Sequence, residues 1–479
     1  MIRSSLISLL VLLCSSARAQ EQFGIAHSNY AGTDAISLNP ARMANQWQWM
    51  DINVIGADAF IQNNHVYVTG KNHSMLGELR ESIRSSKSDD IMFKESLDQG
   101  GRYAFVSQRI KGPAVTVSLG RGSLGAAVST RLYTSGTGIG SDLARFMYNG
   151  LNFPAQHGIR YDDAGVRIVS AAWTEFGLTY ARILKAEGYQ LISVGATAKY
   201  LLAHHGAGIQ FDALDYTVVD SVRADIHNTT GSYGIATPDF AAGSGSGFDV
   251  GLTYERTMDE ADGYIPHQSG GGCDPIKYRY RFGLSILDLG GMHFANAEAG
   301  QFTESSATFP DYPSIDISGG ASVDSLLQHS LSTVTTAHEF GIGLPTAIAV
   351  QYDQRIIDHV YVAADVIQNI SPVSSLRLRR TNTFAVVPRF EIKRFEAALP
   401  VVWHEYEILR PSVGLMLRMN SIIVGSDNLL AIITRAPVYG ADIYFRIKWT
   451  IFRSPICKGK KKAAHHSGDS NALPCTVPE

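Results

Sequence analysis

The sequence predicts an all-β fold, namely a transmembrane antiparallel β-barrel of about fourteen strands. Three observations lead to this prediction. An export signal begins the chain, apolar residues alternate with polar or small residues along many segments, and the connections between these segments alternate between short and long. A barrel in the outer membrane of a Gram-negative cell has all three properties.

Residues 1–19 have the pattern of a secretory signal peptide. A positive start precedes the apolar run Leu6–Leu13, which is too short to span a bilayer because a spanning helix needs about 20 residues. The small residues that end at Ala19 form a cleavage site, with Gln20 as the first residue of the mature chain. A lipoprotein anchored through Cys14 is the alternative, although the residue before that cysteine fits a lipoprotein poorly.

The composition argues against several classes of protein. Removal of residues 1–19 takes two arginines from the 41 basic side chains, which leaves 39 against 44 acidic ones and a net charge of −5. This weak acidity gives no electrostatic reason to expect a nucleic-acid partner. No later stretch of 18 apolar residues exists, so the sequence predicts no transmembrane helix. The mature cysteines Cys273, Cys457 and Cys475 match no zinc spacing, and a Cys457–Cys475 bridge is conceivable.

Alternation with a period of two is the strand signal. A soluble β-sandwich alternates too, but here the apolar face carries bulky and aromatic residues while the opposite face carries charges and glycines, as expected for lipid outside and a polar lumen inside. Because both signs of charge occur inside, we expect salt bridges across the lumen rather than a ring of one charge. The residues predicted to face lipid include Ile192, Val194, Val250, Leu252, Tyr278, Tyr280, Phe282, Leu284, Ile286, Phe445 and Ile447. The residues predicted to face the lumen include Glu175, Lys199, Asp249, Glu255, Arg279, Arg281, Asp365, Arg418, Arg446 and Lys448.

The spacing of these segments gives the strand order. The predicted strands are 50–69, 102–119, 124–133, 168–183, 189–202, 248–256, 277–287, 340–353, 358–368, 382–392, 395–403, 410–419, 421–434 and 440–451, and either of the first two could be divided. If the first strand runs outward, the long gaps 70–101, 134–167, 203–247 and 288–339 all lie outside. The segment 257–276 is then an unusually long periplasmic turn. Short helices are predicted in the outer loops at Ser74–Ile83, from Ser141, and at Ser322–Leu331.

The segment from Asn29 to Ala41 reads NYAGTDAISLNPA, in which an Asp precedes Asn-Pro-Ala shortly before the first strand. This pattern resembles the N-terminus of FadL-type outer-membrane proteins. The stretch Gly247–Glu255 is similar to an uncharacterised Bacteroidota family of such barrels, which carries a domain of unknown function. The resemblance covers the mature chain and implies fourteen strands with an N-terminal plug in the lumen. It implies two possible roles, because FadL members pass hydrophobic molecules whereas PorV-like members serve type IX secretion.

Residues 20–49 have the composition of compact turns rather than of a strand, which agrees with a plug. Pro40 keeps Asn39 out of helical geometry and can itself occupy the first position of a helix. A surface arm ahead of the barrel is the alternative. The candidate plug residues are Asn29, Asp34, Asn39 and Pro40. The predicted organisation is a signal peptide at 1–19, a plug at 20–49, a barrel at 50–452 and a basic periplasmic tail at 453–479.

Each candidate catalytic motif lacks a residue or a structural context that its chemistry requires. The sequence therefore predicts no enzyme, no cofactor and no metal. His404-Glu405 begins like a zinc-protease motif but lacks the second histidine and falls in a predicted hairpin loop. The pairs His204-His205 and His338-Glu339 are interpreted as solvated residues at strand ends. The segment Gly243–Gly247 lacks the context of a nucleophile elbow and is interpreted as a flexible loop.

Two functions from different classes remain open. The first is a channel for small hydrophobic or amphipathic molecules, plugged at rest and opened laterally or by movement of the plug. The second is a structural or assembly barrel that binds protein partners such as secretion machinery. A continuous apolar pocket from the outer loops would favour transport, whereas a solid lumen with an exposed apolar loop patch would favour partner binding. The expected partners are outer-membrane lipid together with hydrophobic small molecules or proteins.

Overall fold

Fourteen strands close into one antiparallel barrel, which confirms the predicted fold class. The computed structural model describes residues 22–70, 77, 91–98, 100–151, 153–269, 272–309, 334–372, 376–434 and 436–458. The strands are β1 Met50–Asn63, β2 Arg102–Leu119, β3 Gly122–Ile139, β4 Arg160–Asp163 with Val166–Glu187, β5 Gln190–Val218, β6 Ala224–Ala236 with Gly243–Thr257, β7 Tyr278–Phe294 with Ala297–Phe309, β8 Val334–Ala337 with Phe340–Gly343 and Ala347–Ile357, β9 Val360–Asn369, β10 Thr383–Glu391, β11 Phe395–Ala398 with Val401–His404, β12 Ser412–Val413 with Leu415–Met419, β13 Ile422–Ser426 and β14 Gly440–Ile451. Pairing of β14 with β1, from Met50 opposite Ile451 to Gln62 opposite Gly440, completes the ring.

The pleat of each strand separates an apolar outer face from a polar inner face. On β6, Leu252 is 40% exposed whereas its neighbour Thr253 is 1% exposed. On β7, Phe282 and Leu284 are likewise exposed, and Ser285 is buried. The exposed apolar residues form a belt around the barrel, so the side chains that a soluble protein would bury lie outside.

Short helices lie at the start of the chain and between strands. The helix α1 Phe23–Ala26 and the 3-10 helices Gly32–Ser37 and Pro40–Asn45 precede β1. Helix α2 Ser141–Asn149 follows β3, and α3 Leu429–Ile433 and α4 Pro455–Lys458 come near the C-terminus. Ser141, which the sequence suggested as the cap of its helix, is instead the first helical residue, and Gly140 is the N-cap. Among the described residues, no helix combines the length and the apolar character needed to cross a membrane.

The structure corrects several predicted boundaries. The predicted strand 50–69 is divided, because β1 ends at Asn63 and Val66–Gly70 pairs with Ile91–Glu95, within the predicted gap 70–101, in a separate two-stranded sheet. The gap 203–247 is mostly strand, because β5 is 29 residues long and ends only at Val218. Gly243–Gly247 belongs to β6 rather than to a flexible loop. The gap 288–339 is also partly strand, since β7 continues to Phe309. The predicted strand 421–434 ends at Ser426 and is followed by α3. The predicted signal peptide, the helices at Ser74–Ile83 and Ser322–Leu331, and the tail beyond Lys458 lie outside the described residues.

The barrel has two unlike ends, named here by their connections. Short turns such as 188–189 and 358–359 lie with both chain ends at the turn end, and the longer connections lie at the opposite, loop end. At the turn end a disulfide joins Cys273, in the long connection 258–277, to Cys457 in α4. This pairing replaces the conceivable Cys457–Cys475 bridge, and Cys475 itself lies outside the described residues. The disulfide therefore ties the connection after β6 to the helix that follows β14.

Candidate functional site

The segment 22–48, called the N-terminal segment below, lies inside the barrel. Its apolar side chains Ile25, Leu38 and Met43 are at most 1% exposed, and Ile25 and Leu38 belong to a core cluster that includes wall residues of β8 to β14. Strand glycines permit this close approach. A Cβ added at Gly195 would lie 2.6 Å from the carbonyl carbon of Pro40. The wall is therefore shaped to receive the segment.

Asn39 fixes the middle of the N-terminal segment to the wall. Its side-chain Oδ1 accepts a hydrogen bond from the Ala41 backbone (3.0 Å) and so caps the 3-10 helix in which Pro40 takes the first position. The Nδ2 group donates to the Leu252 carbonyl of β6 (3.1 Å) and to Gln351 of β8 (3.1 Å). The Asn-Pro-Ala motif thus makes a turn and anchors it to two strands.

Asp34 lies in the first of two charge clusters, defined here as cluster A: Asp34, Asp51, Asp58, Lys111, Arg446 and Lys448. The Asp34 carboxylate lies 2.7 Å from Lys111, 3.1 Å from Arg446 and 3.0 Å from Lys448. Lys448 also pairs with Asp51 (2.9 Å), and Arg446 with Asp58 (2.6 Å). Three acids match three bases, and all six side chains are at most 9% exposed. The cluster binds the N-terminal segment to β1, β2 and β14.

Cluster B contains no residue of the N-terminal segment: Arg131, Glu175, Lys199, Asp249 and Asp288 belong to the wall, and Arg380 belongs to the connection between β9 and β10. Asp288 is its centre, with Arg131 at 3.1 Å, Lys199 at 2.7 Å and Arg380 at 2.7 Å. Lys199 also pairs with Asp249 (2.7 Å), and Arg131 with Glu175 (3.4 Å). The predicted lumenal residues Glu175, Lys199 and Asp249 therefore meet in one network with residues that the alternation did not single out.

Asp288 is the most connected residue that the sequence analysis missed. Strict alternation from Arg281 would turn it toward the outer face. Its backbone φ of +53° lies in the left-handed region, which Asp tolerates better than most residues, and the register between β6 and β7 shifts at this point. The shift turns its carboxylate into the lumen, and no sequence signal marked it.

The remaining predicted residues meet the first part of the N-terminal segment. Arg281 pairs with Glu255 (3.1 Å) and donates to the Asn29 side chain (3.1 Å). The Asn29 backbone donates to Glu391 (3.1 Å). Two further contacts follow the same pattern, namely His27 with Asp365 (2.5 Å) and Arg418 with Glu396 (2.9 Å), the latter carboxylate also accepting from Ser28. Salt bridges across the lumen are thus present, with the N-terminal segment among them.

Arg279 lies apart from this lumenal set. The register of β6 with β7 shifts between Arg256 and Thr257, which leaves Arg279 as the extra residue of a bulge, with an exposed side chain. Tyr278 instead is buried, and its hydroxyl donates to Asp353 (2.6 Å). Alternation therefore misplaces both residues, because a bulge exchanges the two faces of the strand beyond it.

A small polar cavity lies between the N-terminal segment and the wall. Its volume is about 70 Å³, and its lining includes Thr33 and Ser37 of the segment together with Arg109, Arg131 and Lys199 of the wall. One water needs about 10–15 Å³ of such space, so the cavity has room for a few water molecules or a small solute. The cavity is not the apolar pocket that would favour transport.

The wall is weakest where the N-terminal segment begins. β13 has only five residues and pairs with β14 at four positions, from Ile422 to Gly425. Beyond it the chain forms α3, whose five residues are all apolar and not buried. Asp427, at the junction, accepts hydrogen bonds from the Phe23 backbone (2.9 Å) and the Tyr444 hydroxyl (3.1 Å). The start of the segment thus contacts the wall where strand pairing ends.

The turn end is covered by the connection 258–277. The Tyr264 hydroxyl lies 3.3 Å from the Asn45 side chain, and His267 Nε2 lies 3.1 Å from the Gln46 carbonyl. The Ser454 hydroxyl donates to the His267 carbonyl (2.6 Å), next to the disulfide. Burial lowers the pKa of His267 below its ordinary value, so the neutral imidazole is favoured. This connection holds the end of the N-terminal segment in place.

Two of the motifs weighed for catalysis or metal binding, at His204 and His404, lie in strands rather than in solvated loops. His404 ends β11 and packs on Phe60, rather than lying in a loop. The His204 ring hydrogen bonds to Thr174 (2.8 Å). Within the described ranges, no group of three or more His, Cys, Asp or Glu side chains could hold a metal ion.

Comparisons with known proteins give a family and a set of similar folds. The model of a family of unknown function, DUF5723, matches residues 40–427. No curated protein sequence matches the chain. Similar solved structures include the toluene transporter TbuX of Ralstonia pickettii (10% identity, TM-score 0.40, 88% of this chain and 94% of that chain) and a FadL homologue of Pseudomonas aeruginosa (11%, 0.38, 88% and 94%). The toluene transporter TodX of Pseudomonas putida is similar at 9% identity and a TM-score of 0.38, over 88% of this chain and 92% of that chain.

Similarity at this level says nothing about what the present chain binds. The match to the family model is of a different kind, because it spans most of the barrel and includes the Pro40 end of the Asn-Pro-Ala motif. It also confirms that the chain belongs to a family whose function is unknown, whereas the Bacteroidota origin of that family stays a prediction. The chain belongs to the DUF5723 family.

Proposed function

We propose that this chain is an outer-membrane channel for small hydrophobic or amphipathic molecules, closed at rest by its N-terminal segment. In this proposal the apolar belt contacts lipid, the loop end faces outside and the turn end faces the periplasm. The Cys273–Cys457 disulfide agrees with an oxidising compartment on the turn side. Residues 1–19 would be removed on export, and residues 20–49 would act as the plug.

The position of the N-terminal segment carries the proposal. A barrel of fourteen strands is too wide for wall side chains alone to fill it, so internal material must control passage. Here Asp34, Asn39 and Asn29 connect that material to strands on different sides of the wall, namely β2 and β14, β6 and β8, and β7 and β10. These contacts to strands around the barrel hold the segment where it can control passage through the lumen.

A route past the segment is suggested by the junction of β13 and β14. Displacement of Phe23 from Asp427 would free the lumen beside the short strand β13. The apolar helix α3 lies next to this junction, and its Leu430 and Ile433 are 44% and 45% exposed. An apolar molecule leaving the lumen there would meet apolar side chains, so lateral release into the outer leaflet fits this site best.

Deletion of residues 22–45 tests the proposal. The shortened barrel should still fold and remain heat-modifiable, and it should show a larger single-channel conductance and faster uptake of an apolar solute into vesicles. A truncation of residues 459–479 is the control for a shortened chain and should leave both properties unchanged. A deletion variant that folds but conducts no more than the full chain would contradict the proposal.

That contrary result would favour the alternative, a non-transporting barrel that binds protein partners. One observation points this way. Ile408 and Leu409 are 80% and 95% exposed at the tip of the loop 405–411, at the loop end. Apolar side chains so fully exposed on a loop can contact another protein. The patch is small, and we therefore place this function second.

A further inference from the structure

Arg109 is a lumenal cation that forms no salt bridge with any described residue, whereas the two clusters beside it are each balanced. Clusters A and B each hold three acids and three bases, so each is neutral. Arg109 lies between them and lines the polar cavity. Its Nε atom is buried and has no hydrogen-bond partner in the described structure. Arg109 is half-buried, and a charge that is partly removed from water is stabilised by an opposite charge, so the site favours one further negative charge.

The strand register makes the imbalance sharper. Arg109 of β2 lies directly opposite Arg131 of β3, and like charges in directly opposite positions destabilise a sheet. On its other side Arg109 lies opposite Asp58 of β1, whose Oδ2 atom is engaged by Arg446 (2.6 Å) and Gln22. The Oδ1 atom of Asp58 is buried and has no hydrogen-bond partner among the described residues. Glu175, the other nearby acid, pairs with Arg131. No described carboxylate therefore forms a salt bridge with Arg109, although Asp58 and Glu175 lie close enough to attract it.

We propose that this cavity binds a small hydrophilic oxyanion, a phosphate or a carboxylate, between Arg109 and Arg131. Such an ion would separate the two guanidinium groups and accept hydrogen bonds from both, which is the geometry for which Arg is suited. The cavity is lined by the acids Glu175, Asp249 and Asp288 and by five bases, namely Arg109, Lys111, Arg131, Lys199 and Arg380. This excess of positive charge and the volume of about 70 Å³ favour a compact anion over the head of a long apolar chain. This site is distinct from the route proposed above for apolar molecules.

The ion would also link the N-terminal segment to the wall. Thr33 and Ser37 line the same cavity from the segment, and Lys111, which lines it from β2, donates to the Thr33 carbonyl (2.8 Å) and pairs with Asp34. An anion in the cavity therefore adds an attraction between β2, β3 and the segment. Anion binding should stabilise the plugged form.

Direct binding to the purified protein in detergent is the first test. Titration calorimetry with inorganic phosphate and with acetate, at constant ionic strength set by chloride, should show saturable binding of at least one of them, and the preferred ion identifies the source of the oxyanion. The bound ion should also raise the midpoint of thermal unfolding, because a ligand that binds only the folded state stabilises it. If neither ion binds saturably, the proposal is wrong, irrespective of the results obtained with the variants.

Arg109→Gln is the second test, with Arg182→Gln as the matched control because Arg182 is exposed on β4. Loss of one charge-assisted contact should weaken oxyanion binding by about tenfold to a hundredfold, and the control should bind like the parent protein. Without oxyanion, Arg109→Gln should be at least as stable as the parent, since it removes the repulsion with Arg131. If Arg109→Gln is destabilised equally with and without oxyanion, Arg109 serves as a structural partner of Asp58, and the proposal is wrong.

Discussion

Asp34 is the residue whose neutralisation should release the N-terminal segment. It contacts Lys111, Arg446 and Lys448 at 2.7 to 3.1 Å, and its side chain is 2% exposed. Asp34→Asn keeps the size of the side chain but removes its charge. Cluster A then holds two acids and three bases, and Lys111 loses its only carboxylate partner within that cluster.

The cost of this change follows from burial. Removal of one partner from a buried ion pair typically destabilises a protein by about 3–5 kcal/mol, because the remaining charge is left uncompensated. The chain can avoid this cost without unfolding, since undocking of the segment exposes the cluster to water. A change of about 3 kcal/mol corresponds to a shift of about a hundredfold in the equilibrium between docked and undocked segment.

Two measurements follow the undocked state. Asp34→Asn should open more frequently in single-channel recordings, and limited proteolysis should cleave the N-terminal segment faster while the barrel resists. Asp259→Asn is the control, because Asp259 lies exposed at the turn end. If Asp34→Asn lowers the stability of the whole barrel but changes neither opening nor cleavage, the segment is a fixed part of the core, and its interpretation as a plug is wrong.

Two further predictions concern the wall and the turn end. Leu252→Arg puts a charge in the apolar belt and should cost about 2–4 kcal/mol in urea unfolding from vesicles, whereas Thr253→Arg, which faces inward, should cost less; equal losses would contradict the assigned faces. Cys273→Ser opens a disulfide between residues 184 apart, for which chain entropy gives about 5 kcal/mol, so it should unfold more easily than Cys475→Ser. Equal stability of the two cysteine variants would show that the disulfide adds nothing to the closure of the turn end.

Period and spacing were sufficient to predict the barrel. The alternation of Phe248 to Glu255 assigned both faces of β6 correctly, because a strand places successive side chains on opposite sides and the two solvents differ. The signals for strand ends were weaker. β5 continues well past residue 202 because its extension pairs with Ala224–Ala236, and only the neighbouring strand supplies that partner. The part of a strand that extends beyond the apolar belt has no regular pattern of apolar residues, so the sequence does not show where such a strand ends.

Some features of the candidate site could likewise be predicted from the sequence, and others could not. The turn at Asn39-Pro40 was readable in the sequence, since proline and the capping amide act on their own neighbours. The charged residues of the inner face were readable wherever alternation was regular, as for Lys199 and Asp249. The pairing of each acid with its base could not be predicted from the sequence. Partners such as Asp34 and Lys448 lie 414 residues apart and meet only when the barrel closes.

Bulges set the limit of what the sequence by itself determined. A single extra residue exchanges the faces of a strand, so Arg279 lies outside the lumenal set and Asp288 within it, although regular alternation predicts the reverse. The disulfide partner of Cys457 was undetermined for a related reason, since the connection after β6 reaches α4 only in the folded chain. Local chemistry thus determined the strands and their turns, whereas closure and register decided which charges meet in the lumen.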